Sequence, residues 1–196
     1  MERSQTARKK SAVATSFVAL LRGFNVGAAN WLAMAALQAA FEGAGGRKVE
    51  TLLQSGNVVF AAPGDEGEAI AARACALLAR AAGVDAFIVP RDGESWRRLV
   101  ASNPFLAAGA DPDALHAACL SAMPSAERFA RLEPDRSPPD TFVVVVGADV
   151  YLSLPNGVAR SKLTNSWFDA RLGTVSTMRN WRTVMKLAAL VEARRR

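Results

Sequence analysis

Cysteine is scarce in this chain: Cys75 and Cys119 are the only two. Both sit among apolar neighbours, and their separation suits neither a zinc site nor a disulfide framework. They are expected as buried free thiols of a reducing compartment. Histidine is scarcer still. His116 stands alone, which excludes a histidine metal cluster, and in an alternating strand it reads as a packing or surface residue more readily than as a base. There is no Gly-x-x-x-x-Gly-Lys-Ser/Thr phosphate loop and no Gly-x-Ser-x-Gly nucleophile elbow. The acid pairs Asp111/Asp113 and Glu66/Glu68 stand where helices or loops begin, as helix dipoles favour. Nothing requires an enzyme, a metal or a cofactor. Long apolar runs are missing too. Arg8-Lys9-Lys10 followed by Ser11 to Leu21 imitates a secretion signal, but Arg22 follows at once, without a small-residue cleavage site. The run is too short to span a membrane. No membrane partner is expected, and a cytoplasmic location is.

What is present is a core and a skewed charge. Of 196 residues, 51% are hydrophobic, enough to bury a core without staples. The net charge is +6, yet the first ten residues hold four cations against Glu2, and the last five hold three arginines against Glu192. Residues 1–14 are expected as a disordered basic tail and 192–196 as a second basic tail. Such tails attract nucleic acid or simply keep an end soluble.

Punctuation divides the rest. Phe17 to Gly23 reads as a strand broken by Gly23-Phe24-Asn25-Val26-Gly27. Asn30 is placed to cap a helix over Trp31 to Ala44. Two strands, Lys48 to Leu53 and Asn57 to Ala61, flank the turn Gln54-Ser55-Gly56-Asn57. A helix over Glu66 to Ala82 stops at Gly83, and a strand over Ala86 to Val89 is closed by Pro90. Strand, helix, strand, strand, helix, strand is the ferredoxin-like order, expected over residues 15–90. The second half, 91–191, is expected as a smaller α/β subdomain packed on the first, possessing a hairpin near Thr141 to Leu154 and two C-terminal helices, Leu163 to Leu172 and Asn180 to Ala193. It reads as a looser version of the first half. The fold class is therefore α+β.

Two constellations stand out. In a ferredoxin-like order the exit of the first strand and the turn between strands two and three share one end of the sheet. Arg22, Asn25 and Asn30 should then lie near Gln54, Ser55 and Asn57, forming a polar mouth. The same asparagines equally serve as turn and cap residues. The second constellation is Val158 to Leu187, where Arg160, Lys162, Arg171, Arg179, Arg182 and Lys186 face one acid, Asp169. Ser161, Thr177, Asn180 and Trp181 lie between them. Guanidinium forks beside hydroxyl donors suit anion capture, with Ser176-Thr177 opening the last helix and Arg179 and Arg182 on one face of it. The competing reading is a solvated helix face, with Trp181 a core anchor.

Leu20-Leu21-Arg22-Gly23-Phe24-Asn25-Val26-Gly27 and Gln54-Ser55-Gly56-Asn57-Val58-Val59-Phe60 resemble the signatures of the domain-of-unknown-function 1697 family of bacterial proteins. Asn103-Pro104-Phe105, Ser161-Lys162-Leu163 and Thr177 to Val184 match later signatures in the right order. Ala28 departs from the family's usual second glycine. The resemblance implies an α+β fold with a ferredoxin-like part and no established activity. The leading expectation is a binding protein for an anionic ligand: a nucleotide, a phosphorylated metabolite or nucleic acid. RNA-binding sheets of this type stack bases on strand aromatics, and few are here. An enzyme holding a phosphate or carboxylate through Arg160, Lys162 and Arg179 is the second expectation. A structural or interaction module, with Arg22 and Arg179 locking the halves together, is the third. Oligomeric state is left open.

Overall fold

A computed structural model describes residues 14–23, 32–83, 86–145 and 149–195. Residues 1–13, Asn25 and Asn30 lie outside them, so most of the expected N-terminal tail and two of the six residues of the expected polar mouth are not described.

The chain is built outward from β1 (Ala14–Arg22). Its run Phe17-Val18-Ala19-Leu20-Leu21 is buried throughout, because alternate side chains enter two different cores. Phe17, Ala19 and Leu21 point one way, Val18 and Leu20 the other. After it come α1 (Met34–Gly43), β2 (Arg47–Leu52), β3 (Asn57–Pro63), α2 (Gly67–Ala82) and β4 (Phe87–Asp92). The four strands form an antiparallel sheet in the order β2-β3-β1-β4. Leu37 and Phe41 of α1 and Ile70, Ala74 and Leu78 of α2 cover one face.

Helices α3 (Gly93–Ala101) and α4 (Pro104–Ala107) lead to the second half: β5 (Leu115–Leu120), α5 (Ala126–Phe129), β6 (Thr141–Val145), β7 (Asp149–Ser153), α6 (Asn165–Leu172), β8 (Ser176–Asn180) and α7 (Trp181–Ala193). Its sheet is antiparallel in the order β6-β7-β5-β8. The protein is thus α+β, with two four-stranded antiparallel sheets and seven α-helices among the described residues.

The second half repeats the connectivity of the first, and the registers make the match residue by residue. Leu20 of β1 pairs with Asn57 and Val89; Cys119 of β5 pairs with Asp149 and Thr177. Asn57 therefore corresponds to Asp149, Arg91 to Arg179, and Leu21 to Leu120. Each half then runs from its last strand straight into a helix with the same cap. The Ser95 N–H donates to Asp92 Oδ1 (2.8 Å) at the start of α3, and the Thr183 N–H donates to Asn180 Oδ1 (2.8 Å) at the start of α7. The inner faces of both sheets share one central core with α3 and α7, around Trp96, Leu99, Tyr151, Trp181, Val184 and Leu187. Its polar tips are satisfied. Trp96 Nε1 donates to the Val184 carbonyl (3.3 Å), and the Tyr151 hydroxyl donates to the Leu99 carbonyl (2.8 Å). A third core lies on the far face of the second sheet, under Trp167 and Phe168 of α6.

Several expectations are corrected. Ser176 and Thr177 do not open the last helix. They belong to β8, and Asn180 is the cap. The second half is consequently no smaller in strands than the first. The strand expected to close at Pro90 continues to Asp92; β4 is an edge strand, where a missing N–H breaks no ladder bond. The first helix begins at Met34, after Ala33. Cys119 is buried as expected, but Cys75 is only half-buried. At the C-terminal end, α7 runs to Ala193, and Arg194 donates to the Lys48 carbonyl (3.0 Å) and to Glu50 Oε2 (3.0 Å) along β2. Arg194, within the expected tail, is thereby docked on β2.

Candidate functional site

The end of β1, the β2–β3 turn, β8 and the start of α6 meet around a cleft of about 650 Å3. Asn57 opens β3 and is fully buried. Its amide donates to the Leu52 carbonyl (2.9 Å) and the Ser55 hydroxyl (3.0 Å), closing its own turn. Its Oδ1 accepts from Arg179 Nε (2.5 Å).

Arg179 reaches across from the second half. Nη1 donates to Thr177 Oγ1 and the Met178 carbonyl, both at 2.8 Å. Nη2 donates to the carbonyls of Leu21 (2.8 Å), Ser55 (3.1 Å) and Gly56 (3.3 Å). A guanidinium has five N–H donors, and all are taken by protein acceptors. The fork expected to capture an anion is instead a tie between β8 and the turn and strand end of the first half. Among the described residues no carboxylate forms an ion pair with it. Loss of solvent pulls its pKa down to about 10, as expected for a cation enclosed mainly by neutral dipoles.

Arg22 makes the second tie. It donates to the Ser176 carbonyl and pairs with Asp169 at 3.0 Å. Asp169 Oδ1 also accepts from the Ser176 N–H and hydroxyl, each at 2.7 Å. Arg22 and Ser55 line the same cleft, which unites them as the sequence implied. Thr177 and Asn180 line it too, though Thr177 is buried and Asn180 is committed to its cap. Gln54 is exposed on the turn and Trp181 is buried in the central core. Arg160 and Lys162 are exposed and lie outside the cleft lining; Ser161 accepts from the Leu163 N–H (3.0 Å). Arg182, expected beside Arg179, is on α7 and grips Asp113 with two bonds of 2.7 and 2.6 Å.

His116, expected as a packing or surface residue, lines the cleft. It is 8% exposed and lies opposite Asn180 of β8. No local signal marks it, because the placement comes from strand pairing. Its Nδ1 lies 3.3 Å from the Ala114 carbonyl. A carbonyl only accepts, so Nδ1 carries the proton and Nε2 is an acceptor. Burial lowers its pKa from the ordinary 6.5, so it is neutral at pH 7. The sign follows from proton linkage. The unfolded chain binds this proton more readily than the folded one, so stability is full above 6.5 and is lost as pH falls from there through the folded pKa. In His116→Phe, which copies the equivalent Phe17, that part of the loss disappears from urea melts run across the window. An unchanged pH slope in the variant would refute the assignment.

The model of the family "Protein of unknown function (DUF1697)" matches residues 14–151. The chain belongs to this family. Arg22, Ser55, Asn57 and His116 fall inside the match; Arg179 and α6 follow it. The structure of the conserved bacterial protein SP0830 from Streptococcus pneumoniae is similar to this chain, with a TM-score of 0.70 at 16% identity, over 91% of this chain and 99% of that one. At that identity the likeness is one of fold. No curated protein matches the chain. No helix among the described residues is long and apolar enough to cross a membrane.

Proposed function

We propose that this family member binds a small anionic ligand in the cleft between its two halves. One observation carries the reading: the Arg179 guanidinium is desolvated in the cleft wall and ion-paired to no carboxylate among the described residues. A buried cation without a counter-charge makes an adjacent anion favourable. Because the Arg179 donors are spent, direct contact falls to Arg22, Ser55 and Ser166, the last in the first turn of α6, where the helix dipole adds to the field.

A small ligand is favoured over a nucleic-acid strand. Of the basic stretch, Arg171 faces Glu133 and Arg182 faces Asp113, and Arg22 of the polar mouth faces Asp169, so fewer cations are left to follow a phosphate backbone. The strand order and the two helices on one face support a ferredoxin-like reading of the first half.

The test is a melt of the full chain against inorganic phosphate, with a short single-stranded DNA as comparison. Phosphate at ten times its Kd is expected to raise Tm by roughly 3–5 °C, and Arg22→Ala to remove the shift. The reading fails if phosphate, pyrophosphate and acetate all leave Tm unchanged. A catalytic version is favoured by His116, a neutral acceptor in the same cleft. Turnover of a model phosphomonoester that His116→Phe abolishes, with phosphate binding retained, would establish it.

A further inference from the structure

The internal repeat supplies a control for the cleft. In the first half's version of the site, Arg91 donates to the Leu120 carbonyl, as Arg179 does to the equivalent Leu21 carbonyl. Beside Arg91, at 3.6 Å, stands the Asp149 carboxylate. The position equivalent to Asp149 beside Arg179 is Asn57. One arginine has its counter-charge built in; at the other the acid is replaced by its neutral isostere. The sequence that follows Gly23, from Phe24 to Trp31, contains no Asp or Glu either.

A second observation concerns the rim. Leu53 and Val158 are 49% and 51% exposed, among the most exposed large apolar residues described, and both line this cleft with Leu163 and Met178. They come from distant elements, the β2–β3 turn and the short helical turn before Ser161. Leu53 also has φ +58°, a left-handed conformation that a leucine adopts at a cost and that glycine or asparagine would fill more easily. An exposed leucine held in a strained turn, sharing a cleft lining with a second exposed apolar residue, is poor for stability and well placed for contact.

We infer that the cleft takes an amphiphilic small anion, whose charged head supplies at Arg179 the counter-charge that Asp149 supplies at Arg91, and whose apolar body lies between Leu53 and Val158. This rests on the anion-binding reading above. The ligand class is a carboxylate or phosphate monoester carrying an aliphatic or aromatic group.

The test compares phenyl phosphate, benzoate and inorganic phosphate by titration calorimetry on the full chain. Phenyl phosphate is expected to bind at least tenfold more tightly than inorganic phosphate. Leu53→Ser with Val158→Ser should erase that advantage while inorganic phosphate still binds. Asn57→Asp should weaken every anion at least tenfold. Asn57→Ala, which loses the same two donor bonds and the Arg179 bond besides but adds no charge, should not. If Asn57→Asp fails to fold, Asn165→Asp, which adds a carboxylate to the cleft lining while keeping its side-chain oxygen, takes its place, with Asn165→Gln as the neutral control. If no anion binds, the anion-binding reading falls. If anions bind without preference for the apolar body, or bind equally well once the carboxylate is added, that reading stands and the present inference is overturned.

Discussion

Arg179→Met is expected to destabilise the protein by about 3–5 kcal/mol, which lowers the urea midpoint by roughly 1.5–2 M. The size follows from what the guanidinium leaves behind. The substitution strips donors from the Leu21, Ser55 and Gly56 carbonyls and from Asn57 Oδ1. Asn57 is fully buried and cannot turn to water. Each stranded acceptor costs about 1–3 kcal/mol, partly offset because a buried cation is itself expensive to desolvate. Arg179→Lys keeps the charge but places three donors on one point, so it should recover less than half of the loss. Phosphate binding should follow charge rather than stability: Lys retains some, Met none. A loss below about 1 kcal/mol in Arg179→Met would show that the tie contributes little to the fold.

Trp96→Ala is expected to cost about 3–5 kcal/mol through lost burial and the cavity left behind. Trp96 is fully buried on α3, in the core shared by both sheets and α7. Trp96→Phe keeps most of the ring and gives up the bond to the Val184 carbonyl, for a loss of about 1–1.5 kcal/mol. The form of the transition is as informative as its midpoint. The shared core couples the halves, so tryptophan fluorescence and far-UV dichroism should report one coincident unfolding step in wild type and both variants. Two separated steps would mean that each half folds on its own outer core.

These outcomes bear on how the two constellations relate. The basic stretch and the polar mouth, read separately along the chain, meet at one point, where β8 of the second half closes on the β2–β3 turn of the first. Arg179 is both the closing bond and the unbalanced charge. Its saturation by protein acceptors suits the locking role anticipated for Arg22 and Arg179, while its lack of a carboxylate keeps the anion reading alive. Arg160 and Lys162, both exposed, stand outside the cleft lining. For them the solvated-surface reading fits the geometry better than capture.

Residue pattern alone determined the elements whose signals are local. The continuous apolar run of β1, the left-handed stop at Gly83 and the turn at Gly56 are legible because the backbone requirement lies within a few residues of the side chain that meets it. Ser176-Thr177-Met178-Arg179-Asn180 was not legible as a strand. It is polar, short and at a sheet edge, and its hydroxyls imitate a helix cap; only pairing with β5 makes it extended. The same holds for the site. Sequence brought Arg22 and Ser55 together through the order of strands, but the cleft position of His116, the partnership of Arg22 with Asp169 and the spending of the Arg179 donors depend on contacts between residues far apart in the chain. The correspondence of Asn57 with Asp149 is the clearest case. The halves share little sequence, so the equivalence exists in the registers of the two sheets, and it is tertiary structure that turns an ordinary turn asparagine into a missing counter-ion.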